Sequence, residues 1–202
     1  LSAAQGEPQY GILGGTTLFA SEPDQQMSAL KLPTTLRLFR DVLTSQKGNH
    51  RAEDTLGSVE ATSGGFMFVK HELWRQLGGM DERFFLYAED LDLCKRAAQS
   101  GTKTGAVPGA KIWHDVGSGS FYSRTRQLYL AKGNATYQWK HCSAPLAITN
   151  IALIWLRLFV RALGAAILAP VSGKHFIIFK ALAPLAMAPW RWVSGYPKRG
   201  SK

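Results

Sequence analysis

Hydrophobic positions along the chain alternate between strand-like and helix-like spacing. Residues 10–19, Tyr-Gly-Ile-Leu-Gly-Gly-Thr-Thr-Leu-Phe, make an apolar run interrupted by a glycine pair, which predicts a strand. Ser21 to Ser28 is polar and predicts a turn or loop. After Pro33, the residues Leu36, Leu38, Phe39, Val42 and Leu43 recur at the spacing of an amphipathic helix that the proline can open. Residues 44–58 are polar and predict a loop. Val59 to Lys70 predicts a loop ending in Gly64-Gly65 and then a buried strand, the two glycines allowing close backbone approach to a ligand or a neighbouring strand. His71 to Leu77 predicts a short helix closed by Gly78-Gly79. Glu89 to Ser100 predicts another, stopped by Gly101, with Asp92 and Arg96 placed to pair four residues apart. Lys103 to Val107 and Ala110 to His114 predict two short strands around a Pro108-Gly109 turn.

Beyond the flexible Gly117-Ser118-Gly119-Ser120, the pattern becomes more apolar and helical. Phe121 to Lys140 mixes aromatic and basic residues at helical spacing. Leu146 to Ala169 is a 24-residue apolar run carrying Arg157 and Arg161, and a second run spans Phe176 to Trp192. The first is long enough to cross a bilayer. Its two arginines lie one helical turn apart near the middle, where each would cost about 2.5–3.5 kcal/mol on insertion scales. A helix lying in the membrane interface, with both guanidiniums reaching phosphates, avoids that cost. Trp155, Trp190 and Trp192 are available as interface anchors.

Charge divides the chain at the same place. Residues 1–115 hold 12 basic and 14 acidic side chains, whereas residues 116–202 hold 12 basic and no acidic ones. The second half is therefore suited to an anionic membrane surface. An ordinary core helix packed on other protein is the competing reading. Nucleic acid is not an expected partner, because the basic residues are interleaved with apolar runs and no zinc-finger or RNP pattern is present. Cys94 and Cys142 belong to no CxxC pair, which speaks for a reducing compartment and against structural zinc. Leu1 to Gly11 lacks the basic and apolar regions of a signal peptide.

The densest candidate chemistry runs from Gly78 to Arg96. Five acids, Asp81, Glu82, Glu89, Asp90 and Asp92, flank Phe84, Phe85 and Tyr87. Carboxylates beside large apolar groups can be held partly desolvated, where their proton affinity is tuned. The plainer reading is a solvated turn followed by a helix N-terminus that favours acids.

Several elements in order, Ser63-Gly64-Gly65-Phe66-Met67, then Leu77 through Arg96, then Gly101, Pro108 and His114, resemble the second half of inverting family 2 glycosyltransferases, particularly rhamnosyltransferase-like members that build surface polysaccharides. The resemblance covers about residues 10–140. Tyr129 to Asn134 also resembles the family's following helix, with Lys132-Gly133 in place of its usual arginine. The implied fold is α/β: the C-terminal part of a GT-A fold at residues 1–140, followed by a basic, apolar, helical, membrane-associating tail at residues 141–202. The implied activity is transfer of a sugar from a nucleotide-sugar donor to a glycan or lipid-linked acceptor with inversion, in cell-surface polysaccharide synthesis at the cytoplasmic face of the cell membrane.

By resemblance, Asp90 is the catalytic base, and Glu89 and Asp92 orient it or contact the acceptor. Gly64 and Gly65 form the loop that lets donor and acceptor approach the backbone. His114 matches a ligand position for the Mg2+ or Mn2+ that completes the diphosphate site. Family members also carry an upstream Asp-x-Asp-type motif that holds metal and sugar nucleotide, and this sequence has none: Glu53-Asp54 sits in a polar loop and Asp24 is isolated. The expectation is that this chain alone binds donor poorly. An inactive fragment or a non-enzymatic membrane-surface module is the alternative.

Overall fold

A computed structural model of the chain describes residues 9–19, 22–27, 29–44, 49–50, 57–114 and 122–197. In chain order the elements are β1 (Tyr10–Phe19), β2 (Glu22–Met27), β3 (Ala29–Leu30), α1 (Thr35–Thr44), β4 (Asn49–His50), β5 (Gly57–Val59), β6 (Met67–Val69), α2 (His71–Leu77), α3 (Glu89–Gln99), β7 (Lys103–His114), α4 (Arg124–His141), α5 (Ala144–Leu168) and α6 (Gly173–Met187). A 3-10 turn at Gly64–Phe66 precedes β6. This is the mixed α/β arrangement expected from the sequence. The chain divides into two compact units, one made of Leu1–Leu32, Gly48–Asp81 and Glu89–Ser118, the other of Pro33–Lys47, Glu82–Ala88 and Gly119–Lys202. The boundary expected after residue 140 falls in the last turn of α4, inside the second unit.

The first unit is built on a five-stranded sheet ordered β2-β1-β7-β5, with β6 also pairing to β1. β1 runs parallel to β7 and antiparallel to β2 and β6. Three sequence expectations change here. The polar stretch expected as a turn is strand β2: Thr17 pairs with Met27 and Leu18 with Gln26, so the ladder overrides low strand propensity. β2 stands at the sheet edge, where Pro23 is tolerated. The expected Pro108-Gly109 turn is instead an irregularity inside one long strand. Gly14 pairs with Ala106 and Thr16 already with Lys111, so the extra residues of β7 bulge out of the ladder and carry the proline with them. Gly15 makes room for this bulge, because a Cβ there would lie 2.5 Å from the Ala110 carbonyl oxygen. Finally, β6 is half-exposed, not buried, with Phe68 pointing to solvent.

The core of this unit joins sheet to helices. Ile12, Ala61, Leu73, Leu93, Cys94 and Ala97 pack together, with Met67, Val69, Leu77 and Leu91 around them. Helix ends follow the glycines: Gly78 and Gly79 stop α2 at φ 71° and 73°, and Gly101 follows α3 at φ 83°.

The second unit is helical. Ala131 and Ala135 of α4, Ile151 of α5, Leu185 of α6 and Trp192 form one core cluster. Ala162 and Ala165 of α5 pack on Ile178, Leu182 and Ala186 of α6 in another. Helix α1 belongs here and packs on α5. Buried amides fasten it: Gln138 Nε2 donates to the Pro33 carbonyl at 3.2 Å, and Asn150 Nδ2 donates to Gln138 Oε1 at 2.7 Å. The three tryptophans expected as interface anchors separate. Trp192 is fully buried and donates its indole N–H to Leu185 O, because it fills the gap between α4 and α6. Trp155 is half-buried and donates to Ala186 O, whereas Trp190 is exposed.

Candidate functional site

Asp90 is the second residue of α3, where the first-turn backbone N–H groups have no helical partner. Its Oδ1 accepts from the Leu91 N–H at 2.8 Å and its Oδ2 from the Gly64 N–H at 3.1 Å. Gly64 and Asp90, 26 residues apart in sequence, are thus brought together. Burial pushes the Asp90 carboxyl above its ordinary proton affinity, and the two N–H groups only partly offset this. Each carboxylate oxygen retains a further lone-pair site, so Asp90 can still accept a proton or a hydroxyl hydrogen bond.

Glu89 is half-buried, and its Oε2 is enclosed with no hydrogen-bond partner. Burial, and then the neighbouring Asp90 charge, raise its proton affinity as well. Two adjacent carboxyls with raised affinity are chemically suited to hold or take up a proton. Cys94 on the same helix is no competitor as a nucleophile, since burial pushes its thiol up to about 11.

Asp92 points the other way. It is fully buried and pairs with Arg96 at 2.8 Å, one turn along the helix, as the spacing predicts. Arg96 also donates to the Leu77 and Gly79 carbonyls, both at 2.8 Å. One guanidinium therefore ties the first turn of α3 to the glycine turn after α2. Of the two expected roles for Asp92, orienting its neighbours and contacting the acceptor, this pairing supports the first. The role of Arg96 was not apparent in sequence beyond its i, i+4 spacing, because its carbonyl partners lie 19 and 17 residues upstream.

Gly64 and Gly65 are exposed, and a Cβ on either would make only ordinary contacts at 3.5 Å. Packing among the described residues does not require their small size. The glycines that internal packing does require are Gly14 and Gly15. A Cβ on Gly14 would overlap Thr62 and one on Gly15 would overlap Phe66, so these two let the 61–66 loop that carries Gly64 lie against β1. His114 ends β7, paired in register with Phe19; its side chain lies outside the described residues. Among the described residues no three His, Cys, Asp or Glu side chains form a group that could hold a metal ion. Those side chains do not include that of His114, the metal ligand implied by the resemblance.

The aromatic stretch ahead of Glu89 is held within the helical unit. Phe85 meets Tyr129 edge-on at 5.5 Å between ring centroids, and the Tyr196 ring lies 6.2 Å from Phe85. Tyr196 donates its hydroxyl to the Leu86 carbonyl. Arg126 lies over the Tyr87 ring. Tyr87 and Ala88 both adopt the left-handed conformation, at φ 68° and 70°, which costs non-glycine residues free energy and has to be held by surrounding contacts. Gly133 explains one departure from the family pattern. A Cβ at that position would lie 2.3 Å from the Tyr87 carbonyl oxygen. Gly133→Ala is expected to cost about 1–3 kcal/mol, because backbone has to shift. Gly164→Ala, where a Cβ meets nothing within 4 Å, is expected to be neutral or stabilising. Urea denaturation of the two variants measures the difference, and equal effects would remove the packing explanation for Gly133.

Comparison with known proteins adds a separate line of observation. A family model described as glycosyl transferase family group 2 matches residues 33–194. Two proteins named N-acetylglucosaminyl-diphospho-decaprenol L-rhamnosyltransferase, from Mycobacterium tuberculosis strains CDC 1551 / Oshkosh and ATCC 25618 / H37Rv, are each 31% identical over 126 residues. That match takes in 56% of this chain and 40% of each relative. Rhamnosyltransferase WbbL of Escherichia coli strain K12 is 31% identical over 74 residues, 36% of this chain and 28% of its own length. The chain thus spans less than half the length of each of these curated relatives.

Proposed function

The chain belongs to glycosyl transferase family group 2, and from that premise we propose that it carries the acceptor side and the catalytic base of an inverting sugar transferase. The donor is a nucleotide sugar, with rhamnose favoured by the names of the relatives, and the acceptor is a glycan or a lipid-linked sugar. The product enters cell-surface polysaccharide, and the reaction takes place at the cytoplasmic face of the membrane. The observation that carries this reading is the Asp90 carboxylate, held by the Gly64 N–H and made more basic by burial.

In this mechanism Asp90 removes the proton from an acceptor hydroxyl as that oxygen attacks the anomeric carbon from the face opposite the leaving group. The new glycosidic bond forms while the bond to the nucleotide diphosphate breaks, and the diphosphate departs with the electron pair. Glu89, beside Asp90 on the same helix turn, orients it or contacts the acceptor. Asp92 and Arg96 keep the first turn of α3 in place. The exposed Gly64-Gly65 turn leaves room for sugar hydroxyls against the backbone. A Mg2+ or Mn2+ requirement and a contribution of His114 to it stay part of the proposal, as neutralisation of the departing diphosphate.

The test offers UDP- and dTDP-sugars, with Mg2+ or Mn2+, to membranes containing the protein, and measures labelled sugar in the lipid and polysaccharide fractions. Transfer from one donor, absent from membranes without the protein, is the expected result. No transfer from any donor, together with intact folding, would overturn the reading in favour of a non-enzymatic membrane module.

A further inference from the structure

We propose that helix α1 is part of the surface that rests on the membrane: its outward Leu36, Phe39 and Leu43, with the outward apolar stripe of α5, contact an anionic bilayer. This rests on the membrane location proposed above and assigns the contact to residues. In sequence, α1 stands between two strands of the sheet-bearing unit, yet it packs on α5 in the helical unit. The amide chain from Pro33 through Gln138 to Asn150 fixes its approach.

The helix is turned inside out by the standard of a water-facing helix, which buries its apolar stripe and exposes its polar one. Only Leu38 is buried. Leu36 is 77% exposed, Phe39 52% and Leu43 70%, at i, i+3 and i+7, so they share one stripe. Arg40 is exposed beside them, and Asp41 is half-buried. The helix it packs on shows the same inversion. α5 buries Ala147, Asn150, Ile151, Ala162 and Ala165, which are mostly small or polar. It exposes Ile148, Leu156, Phe159, Leu163 and Ile167 along one side, a stripe about 29 Å long at 1.5 Å per residue.

Charge selects the occupant. The chain has no carboxylate after Asp115, while Lys174, Lys180 and Arg191 are exposed in the helical unit. Anionic headgroups complement this surface, whereas a second copy of the chain would bring cations against cations. Trp190, 71% exposed, supplies an interfacial aromatic group. Length selects the geometry. α1 and α6, with 10 and 15 residues, are too short for a hydrocarbon core of roughly 30 Å, and α5 is packed on α4 and α6 along its other side. α1 therefore lies in the interface plane, whereas α5, at 25 residues, is long and apolar enough to cross.

The experiment is vesicle co-sedimentation of the whole chain with phosphatidylcholine vesicles containing phosphatidylglycerol. The parent is compared with the triple variant Leu36→Ser, Phe39→Ser and Leu43→Ser, with circular dichroism to establish folding. The expected result is binding by the parent, weakened by salt, and a loss of about tenfold or more in the variant, since three apolar side chains no longer leave water. Independently of that variant, Phe39→Trp is expected to gain fluorescence quenching by shallowly brominated lipid beyond the parent's. Parent binding that the triple variant retains, with no added quenching at position 39, overturns the role of α1 and leaves the tail as the contact. No parent binding overturns the membrane location as well. A lipid-independent dimer that the triple variant dissolves means that a second copy covers this face, which also overturns the proposal. No donor or acceptor is present, so failure of sugar transfer and failure of this contact are read separately.

Discussion

Asp90→Asn is expected to lower sugar transfer by about a hundred- to ten-thousand-fold while making the chain more stable at neutral pH. The two effects have one cause. Burial raises the proton affinity of Asp90 in the folded state above its value in the unfolded chain. Between the unfolded and folded pKa values the folded state binds the proton more tightly, so stability falls as pH rises through that window and stays level above it. Below roughly pH 4 the carboxyl is protonated in both states and the penalty vanishes. Asparagine keeps one acceptor oxygen, for the Gly64 N–H, gives up the Leu91 bond, and carries no charge to desolvate. The stability gap between variant and parent should therefore open above about pH 4 in favour of the variant and then hold. Glu89 contributes a slope of the same sign in both proteins and largely cancels in the difference. Urea denaturation from acid to neutral pH measures the gap, and transfer assays on membranes containing the protein measure the rate. Full transfer by the variant would sink the assignment of the base. A variant that loses stability relative to the parent as pH rises would show that the fold stabilises the carboxylate, contrary to the desolvation argument.

Arg96→Met is expected to be the most damaging single change to the first unit, at about 3–5 kcal/mol. The Asp92 side chain has no exposed surface and would keep its charge without the ion pair that now offsets desolvation. The Leu77 and Gly79 carbonyls would lose their guanidinium donors at the same time. Adding Asp92→Asn to Arg96→Met removes the stranded charge and should recover a substantial part of the loss, which a double-mutant cycle resolves. A loss below about 1 kcal/mol for Arg96→Met would mean that water reaches Asp92 and that the bracing role is minor.

Much of the chain's local structure follows from the sequence alone, because it depends on neighbours a few residues apart. Periodicity defines α1, apolar runs outline α5 and α6, and Gly78, Gly79 and Gly101 mark where helices stop, since those positions need positive φ. The Asp92–Arg96 pair is visible at four-residue spacing. The ordered set from Ser63-Gly64-Gly65 to Arg96 carries the family, and the acid-free second half is a matter of counting. The hydrogen bond between Gly64 and Asp90 needed coordinates.

What the tertiary structure decided depends on partners far apart in sequence. The polar stretch 22–27 became a strand because β1 offered a ladder, which propensity does not record. Pro108-Gly109 stayed inside β7 because Gly15, more than ninety residues earlier, gave the bulge space. Trp192 looks like an interface anchor in the sequence, yet it closes a helical core. The pattern of α1 identified a helix with an apolar face, but periodicity is silent on whether such a face looks inward or outward. Only its packing on α5, fastened through Pro33, Gln138 and Asn150, shows that most of that face is left outside.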